Sequence, residues 1–187
     1  VNYTVISGAG EEIRVRLDSY TTEEEVLTIP ETILIDNGAG EENAIVSEVS
    51  KTAFVDCTNV TEICIGSEIA GATDAVDYLV VNSYISLSKL TVPASLLHEV
   101  SLVILKQVTG LVIAPTEQYS LYPDSEYVLP LERCDCLVEL SMPVDLLTKT
   151  NLGQSTKWLE LSVVSGCDGT TELKEGSIAS SPRISSL

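Results

Sequence analysis

The chain has 187 residues, 44% of them hydrophobic, and carries 28 Asp plus Glu against 10 Lys plus Arg, a formal charge of −18. That balance excludes a basic stripe able to displace counterions from phosphates and disfavours adsorption to anionic lipid, so neither a nucleic-acid partner nor membrane insertion is expected. The hydrophobic fraction is too high for a disordered chain, while no apolar run approaches the ~20 residues that span a bilayer.

In chain order, residues 2–17 (NYTVISGAGEEIRVRL) hold two alternating apolar runs around a Gly-Ala-Gly-Glu turn, which predicts a β-hairpin. Residues 19–25 form a polar link ending in three Glu, and 26–33 read as a strand followed by a turn at Pro30. The segment 36–43 (DNGAGEEN) has oxygen ligands that suit calcium, yet it lacks the D-x-[DN]-x-[DN]-G pattern with a closing Glu. It is expected to be a solvated insertion loop. Residues 44–49 alternate again.

From Ala53 the chain repeats itself. Phe54, Cys57, Val60, Ile63 and Ile65, followed by Gly66, set a frame that recurs at Leu131, Cys134, Leu137, Leu140 and Met142, followed by Pro143. It recurs again at Val81, Tyr84, Leu87, Leu90 and Val92, followed by Pro93. Weaker copies run through Leu102, Leu105, Val108, Leu111 and Ile113, and through Leu152, Ser155, Trp158, Leu161 and Val163. A half-copy opens the series at Leu27, Ile29 and Pro30, and a last one passes Ile178, Ser181 and Ile184 to Leu187. The shortest spacing is about 21 residues, within the range of stacked-repeat proteins. Abundant aliphatics with one Trp and one Phe suit thin stacked layers, and the N-terminal hairpin then reads as a cap on their open end.

Most of the chain has period two, so short strands are expected, with helices only at Ser95–Leu105 and Asp145–Leu152. The section 116–130 carries Tyr119, Tyr122 and Tyr127 and is expected to project as an insertion. Of five cysteines, Cys57 and Cys134 hold equivalent repeat positions, which predicts small buried apolar roles. Cys134-Asp-Cys136 has the wrong spacing for zinc and His98 is the one histidine, so no metal and no cofactor are expected. His98 lies in an apolar run and is expected to be a packed or half-exposed histidine rather than a base. No nucleophile elbow, P-loop or dinucleotide fingerprint occurs, and an enzyme is not expected.

The blocks AFVDCTNVTEICIG, LERCDCLVELSMP and YISLSKLTVP resemble the BspA-type leucine-rich repeat of bacterial surface proteins, and residues 3–33 resemble the lead-in of such domains. The resemblance implies a β-rich α/β solenoid, a right-handed leucine-rich repeat superhelix with short concave strands and an N-terminal β-hairpin cap. On that reading residues 1–25 form the cap and 26–187 form six to seven degenerate repeats in one structural unit. It also implies an exported bacterial module, secreted or at the cell surface, that binds proteins without catalysis.

Strand register supplies candidate contact residues. With Ile63 and Ile65 pointing inward, Glu62, Cys64 and Gly66 point outward. One outward row is then Val26, Glu62, Lys89, Gly110, Glu139, Glu160 and Ser186. The next is Thr28, Cys64, Thr91, Val112, Ser141 and Ser162, and a third is Pro30, Gly66, Pro93, Ala114, Pro143 and Val164. Glu62, Lys89, Thr91, Glu139, Ser141, Glu160 and Ser162 are the expected partner-binding residues, suited to a basic protein surface met by a monomer. The alternative is a carbohydrate-binding module using Tyr119, Tyr122 and Tyr127 as stacking platforms.

Overall fold

A computed structural model of the chain describes residues 1–7, 12–36, 38, 40–116, 127–128, 133–151, 159–165 and 184–186. They belong to a mixed α/β fold in two compact units, Val1–Ser86 and Leu87–Leu187.

In the first unit, β1 (Asn2–Ser7) and β2 (Arg14–Ser19) form the expected antiparallel hairpin, with Tyr3 opposite Leu17 and Val5 opposite Val15. β2 buries Val15 and Leu17, whereas Val5 and Ile6 of β1 are exposed. β4 (Thr32–Asp36) and β5 (Glu41–Val49) make a second hairpin, and β5 pairs in parallel with β2. The resulting sheet, ordered β1-β2-β5-β4, takes in residues on both sides of position 25. Within segment 36–43, expected to be a loop, Asp36 instead ends β4 and residues 41–43 belong to β5. Asp36 Oδ1 accepts from Gly38 N–H, and Glu41 and Glu42 pair with Asp36 and Ile35. Strand pairing satisfies the backbone of Asp36 and residues 41–43, which an insertion loop would leave to water.

β3 (Val26–Ile29) and β6 (Glu62–Ile65) pair in parallel, Leu27 opposite Ile63 and Ile29 opposite Ile65, all four buried. Ala53, Phe54, Cys57 and Val60, which precede β6, are buried too, and Phe54 meets Tyr20 edge-to-face with ring centroids 6.4 Å apart.

α1 (Ala72–Asn82) was not expected. Its buried Ala72, Ala75, Val76, Leu79 and Val80 follow the i, i+3, i+4, i+7, i+8 stripe of an amphipathic helix. The copy placed at 81–93 is corrected accordingly. Val81 is on the outer side of α1 at 46% exposure, and Tyr84 is 90% exposed with a left-handed φ of 53°. Only its downstream members Leu87, Leu90 and Val92 are buried.

The second unit is built on parallel strands in the order β7 (Lys89–Pro93), β8 (Gly110–Ala114), β10 (Glu139–Pro143), β12 (Leu159–Val164) and β13 (Ile184–Ser186). Leu90, Leu111, Leu140 and Leu161 lie in one register row, each at most 2% exposed. Val92, Ile113 and Met142 lie two residues further on at 0%. Removing each such side chain from water contributes about 1.5–3 kcal/mol, which makes a one-residue slip of any strand prohibitive. Leu102 of the weaker copy is corrected from core to 37% exposed.

The strands leave the sheet by short helices: a 3₁₀ helix (Ala94–Glu99) and α2 (Leu102–Gln107) between β7 and β8, and α3 (Val144–Lys149) after β10. The helix expected over Ser95–Leu105 is thus broken at Val100–Ser101, which are extended; the Ser101 hydroxyl caps α2 by accepting from Ile104 N–H. Pro93 and Pro143 begin these exits and are buried, which corrects the third outward row at both positions. Leu131, Leu152, Ser155, Trp158, Cys167, Ile178, Ser181 and Leu187 lie outside the described residues.

Candidate functional site

The second unit places five of the seven expected contact residues around one recess. Parallel pairing aligns Lys89, Gly110, Glu139 and Glu160 side by side on successive strands. The next outward row is Thr91, Val112, Ser141 and Ser162. In-register neighbours on adjacent strands stand about 4.8 Å apart, so the two rows form a compact grid on one sheet face. A recess of about 220 Å³ opens on that grid, lined by Lys89, Gly110, Val112, Glu139, Ser141, Glu160 and Ser162 with Leu111 and Leu140 at its floor. Glu139, Glu160 and Ser162 are exposed, and Lys89, Thr91, Val112 and Ser141 are half-buried. Thr91 belongs to the second row but does not line the recess.

The row is fixed from the backbone. Ser88 O accepts from both Thr109 N–H and Gly110 N–H (2.8 and 3.0 Å), and Thr109 O accepts from both Val138 N–H and Glu139 N–H (2.8 and 3.0 Å). Val138 O accepts from Glu160 N–H at 2.7 Å. Each strand entry is pinned to the one before it, immediately beside the residues that project. In the first unit Glu25 O accepts from Thr61 and Glu62 N–H in the same way (2.8 and 3.1 Å).

The grid carries, among the described residues, two carboxylates against the one ammonium of Lys89. Among the described residues, the carboxylates of Glu139 and Glu160 have neither an ion pair nor a hydrogen bond, although they are register neighbours, a like-charge arrangement that destabilises a sheet slightly. Gly110 supplies a gap between Lys89 and Glu139. A Cβ built there would lie 3.4 Å from Lys89 Cγ and 3.8 Å from Glu139 Oε2. Period two made the outward rows legible in the sequence, but Gly110 and Val112 were not singled out as contact residues. The available signal was a glycine at the strand-opening position where the other copies carry Lys89, Glu139 and Glu160.

The remaining candidates are separate from this recess. Glu62 and Cys64 are half-buried on β6 of the first unit. Tyr119 and Tyr122 lie outside the described residues, and Tyr127 contributes its backbone to β9 (Tyr127–Val128), which pairs in parallel with β11 (Thr150–Asn151). The His98 side chain is 34% exposed, its Nδ1 2.9 Å from Ser95 O and its Nε2 3.8 Å from Glu99, the half-exposed of the two placements expected for it. Among the described residues no group of three or more His, Cys, Asp or Glu is placed to hold a metal, and no helix is long and apolar enough to cross a membrane. Comparisons of the chain with family models, characterised proteins and solved structures found no match.

Proposed function

We propose that the chain is a non-catalytic module of the leucine-rich-repeat type, exported to the cell surface or beyond, that binds a protein partner through the outward strand face of its second unit. The observation that carries this reading is the alignment of Lys89, Glu139, Ser141, Glu160 and Ser162 around one open recess. These residues, drawn from three strands and held by backbone clamps, give a rigid surface, which reduces the ordering entropy lost on binding. Among the described residues, the recess is lined by carboxylates, hydroxyls and one ammonium but by neither His nor Cys, so Ser141 and Ser162 have no imidazole partner among them. Glu139 and Glu160 stand on one sheet face rather than on opposite walls of a cleft, unlike the flanking carboxylates of glycoside hydrolysis. The excess of acid favours a basic partner surface, in keeping with the formal charge of −18.

The test is binding of the full chain to a panel of purified host extracellular and bacterial surface proteins, before and after charge reversal at Glu139 and Glu160, with Glu62→Lys measured separately for the first unit. Specific binding that the Glu139→Lys/Glu160→Lys variant loses supports the reading. Binding indifferent to those changes removes the assigned face.

A further inference from the structure

We propose that Asn59 and Asn2 are acceptor sites for N-linked oligosaccharide, so that the chain carries two glycans on its first unit. The inference rests on the export part of the reading above, because transfer takes place on a chain that has crossed a membrane. It is independent of the partner-binding face. Three observations support it.

The first is a pair of triplets. Asn2-Tyr3-Thr4 and Asn59-Val60-Thr61 both read Asn-x-Thr with a residue other than proline in the middle, the pattern of an N-glycosylation acceptor. A triplet alone is a weak signal, so the placement of each asparagine decides.

The second is the placement of Asn59. Thr58 and Asn59 are exposed in a turn anchored on either side by Cys57 and Val60, at 0% and 1% exposure. The Asn59 side chain has no hydrogen bond among the described residues. An oligosaccharide joined to its Nδ2 therefore displaces no contact and leaves both anchors in the core. Beyond the turn, Thr61 N–H donates to Glu25 O at 2.8 Å, where β6 pairs with β3. That clamp and the buried Val60 withhold the folded triplet from an enzyme's cleft, so transfer precedes the pairing of β3 with β6.

The third is the placement of Asn2. It is exposed on β1, which forms one edge of its sheet among the described strands. Charge and proline are common means of blunting such an edge against pairing with another chain. β1 (NYTVIS) has neither, and despite its irregular register Val5 and Ile6 remain 54% and 45% exposed. A bulky hydrated glycan at Asn2 supplies that protection.

The donor is an oligosaccharide carried on a polyisoprenyl diphosphate. The bond from asparagine Nδ2 to C1 of the first sugar forms as the bond from C1 to the diphosphate oxygen breaks. The lipid diphosphate leaves with the electron pair and the amide nitrogen gives up one proton. Nothing is oxidised or reduced.

For the test, the full chain is secreted behind a cleavable leader from a glycosylating cell line, and is also recovered by antibody from the cells that make it naturally. Intact and peptide masses are read before and after peptide N-glycosidase, which leaves an aspartate where each occupied asparagine stood. The expected result in both preparations is a mass above that of the sequence by two oligosaccharides, both removed by the enzyme. In the secreted chain, Asn2→Gln, Asn59→Gln and Thr61→Val each lose one oligosaccharide, whereas Thr61→Ser keeps both. Asn82→Gln, at an exposed asparagine outside either triplet, also keeps both.

An asparagine found unmodified in either preparation is overturned as a site, and two unmodified asparagines overturn the inference entirely. So does an oligosaccharide that persists when Asn2→Gln and Asn59→Gln are combined. Partner binding is measured on the same preparations. Binding that depends on Glu139 and Glu160 with both asparagines unmodified would overturn the glycans and leave the binding face standing. Glycans on a chain whose partner ignores both glutamates would support the inference and remove the face.

Discussion

Gly71, at the start of α1, has a φ of 76°, and a Cβ added there would lie 2.6 Å from Val49 O. Val49 N–H meanwhile donates to Ala70 O at 2.8 Å, so the two backbones are locked together at this point and neither can yield. Gly71→Ala is expected to lower stability by about 1–3 kcal/mol in urea unfolding. Gly110→Ala, in extended backbone with its nearest contact at an ordinary 3.4 Å, should cost far less. Equal losses at both positions would contradict this contrast.

Cys57 is wholly buried and donates to Tyr20 O at 3.2 Å, and burial pushes its thiol above the ordinary value of 9.0. A raised value means that its contribution to stability is complete below the unfolded thiol's titration and is lost as pH rises through the folded one. At pH 8 a thiol reagent should label exposed Cys136 in the native protein, and Cys57 and Cys134 only on unfolding. Labelling of Cys57 as fast as Cys136 would contradict its placement. The roles of Cys57 and Cys134 as small core residues were legible from their equivalent repeat positions. The fixed φ at Gly71 was not, because close approach of Val49 depends on a strand distant in sequence.

At the scale of elements, the hairpin of β1 and β2 is tied by Asp18, which accepts from the Thr4 hydroxyl and from Arg16 Nε, the latter at 2.8 Å. These bonds, the Thr4 hydroxyl first, hold the Asp18 carboxyl below its ordinary value of 3.8. A depressed value gives stability that is present above pH ~4 and lost as pH falls through the folded titration, and Asp18→Asn should remove that acid-dependent part. Its size is small, because the pair is solvent-screened. The measurement is unfolding of both proteins between pH 2 and 6; identical pH profiles would contradict the assignment.

α1 gives a sharper contrast. Leu79→Ala should cost about 2–5 kcal/mol, whereas Val81→Ala on the exposed side should cost less than about 0.5 kcal/mol. A reversed order would restore the repeat frame that placed Val81 in the core. That frame obscured the helix, because Val81 and Tyr84 matched the spacing of Phe54 and Cys57 while the stripe Ala72, Ala75, Val76, Leu79, Val80 was already present in the sequence. The strand positions were more legible. Leu27-Thr28-Ile29-Pro30, Leu90-Thr91-Val92-Pro93 and Leu140-Ser141-Met142-Pro143 each begin with a buried leucine in a parallel strand. The path of the chain beyond each proline was not legible. After Pro93 and Pro143 it turns into a helix, whereas after Pro30 the β-branched Thr32 and Ile33 pair with β5. Long-range pairing decides between these outcomes.

For the molecule as a whole, charge and register act together. Aliphatic residues in period two specify which side of each strand is buried, and the opposite side is thereby left to polar residues whose sum is strongly acidic. A binding face of this kind should weaken steeply with added salt, because its exposed carboxylates are screened over about 8–10 Å at 0.1–0.15 M. The most direct measurement compares partner binding by three forms of the full chain at fixed ionic strength: unaltered, Glu139→Lys/Glu160→Lys, and Glu68→Lys/Asp74→Lys as a control of equal charge change at exposed positions of the first unit. Binding by the unaltered chain and the control, with at least about tenfold loss in the first variant, is the predicted result. Equal binding by all three, or equal loss in both variants, would contradict the assignment of this strand face.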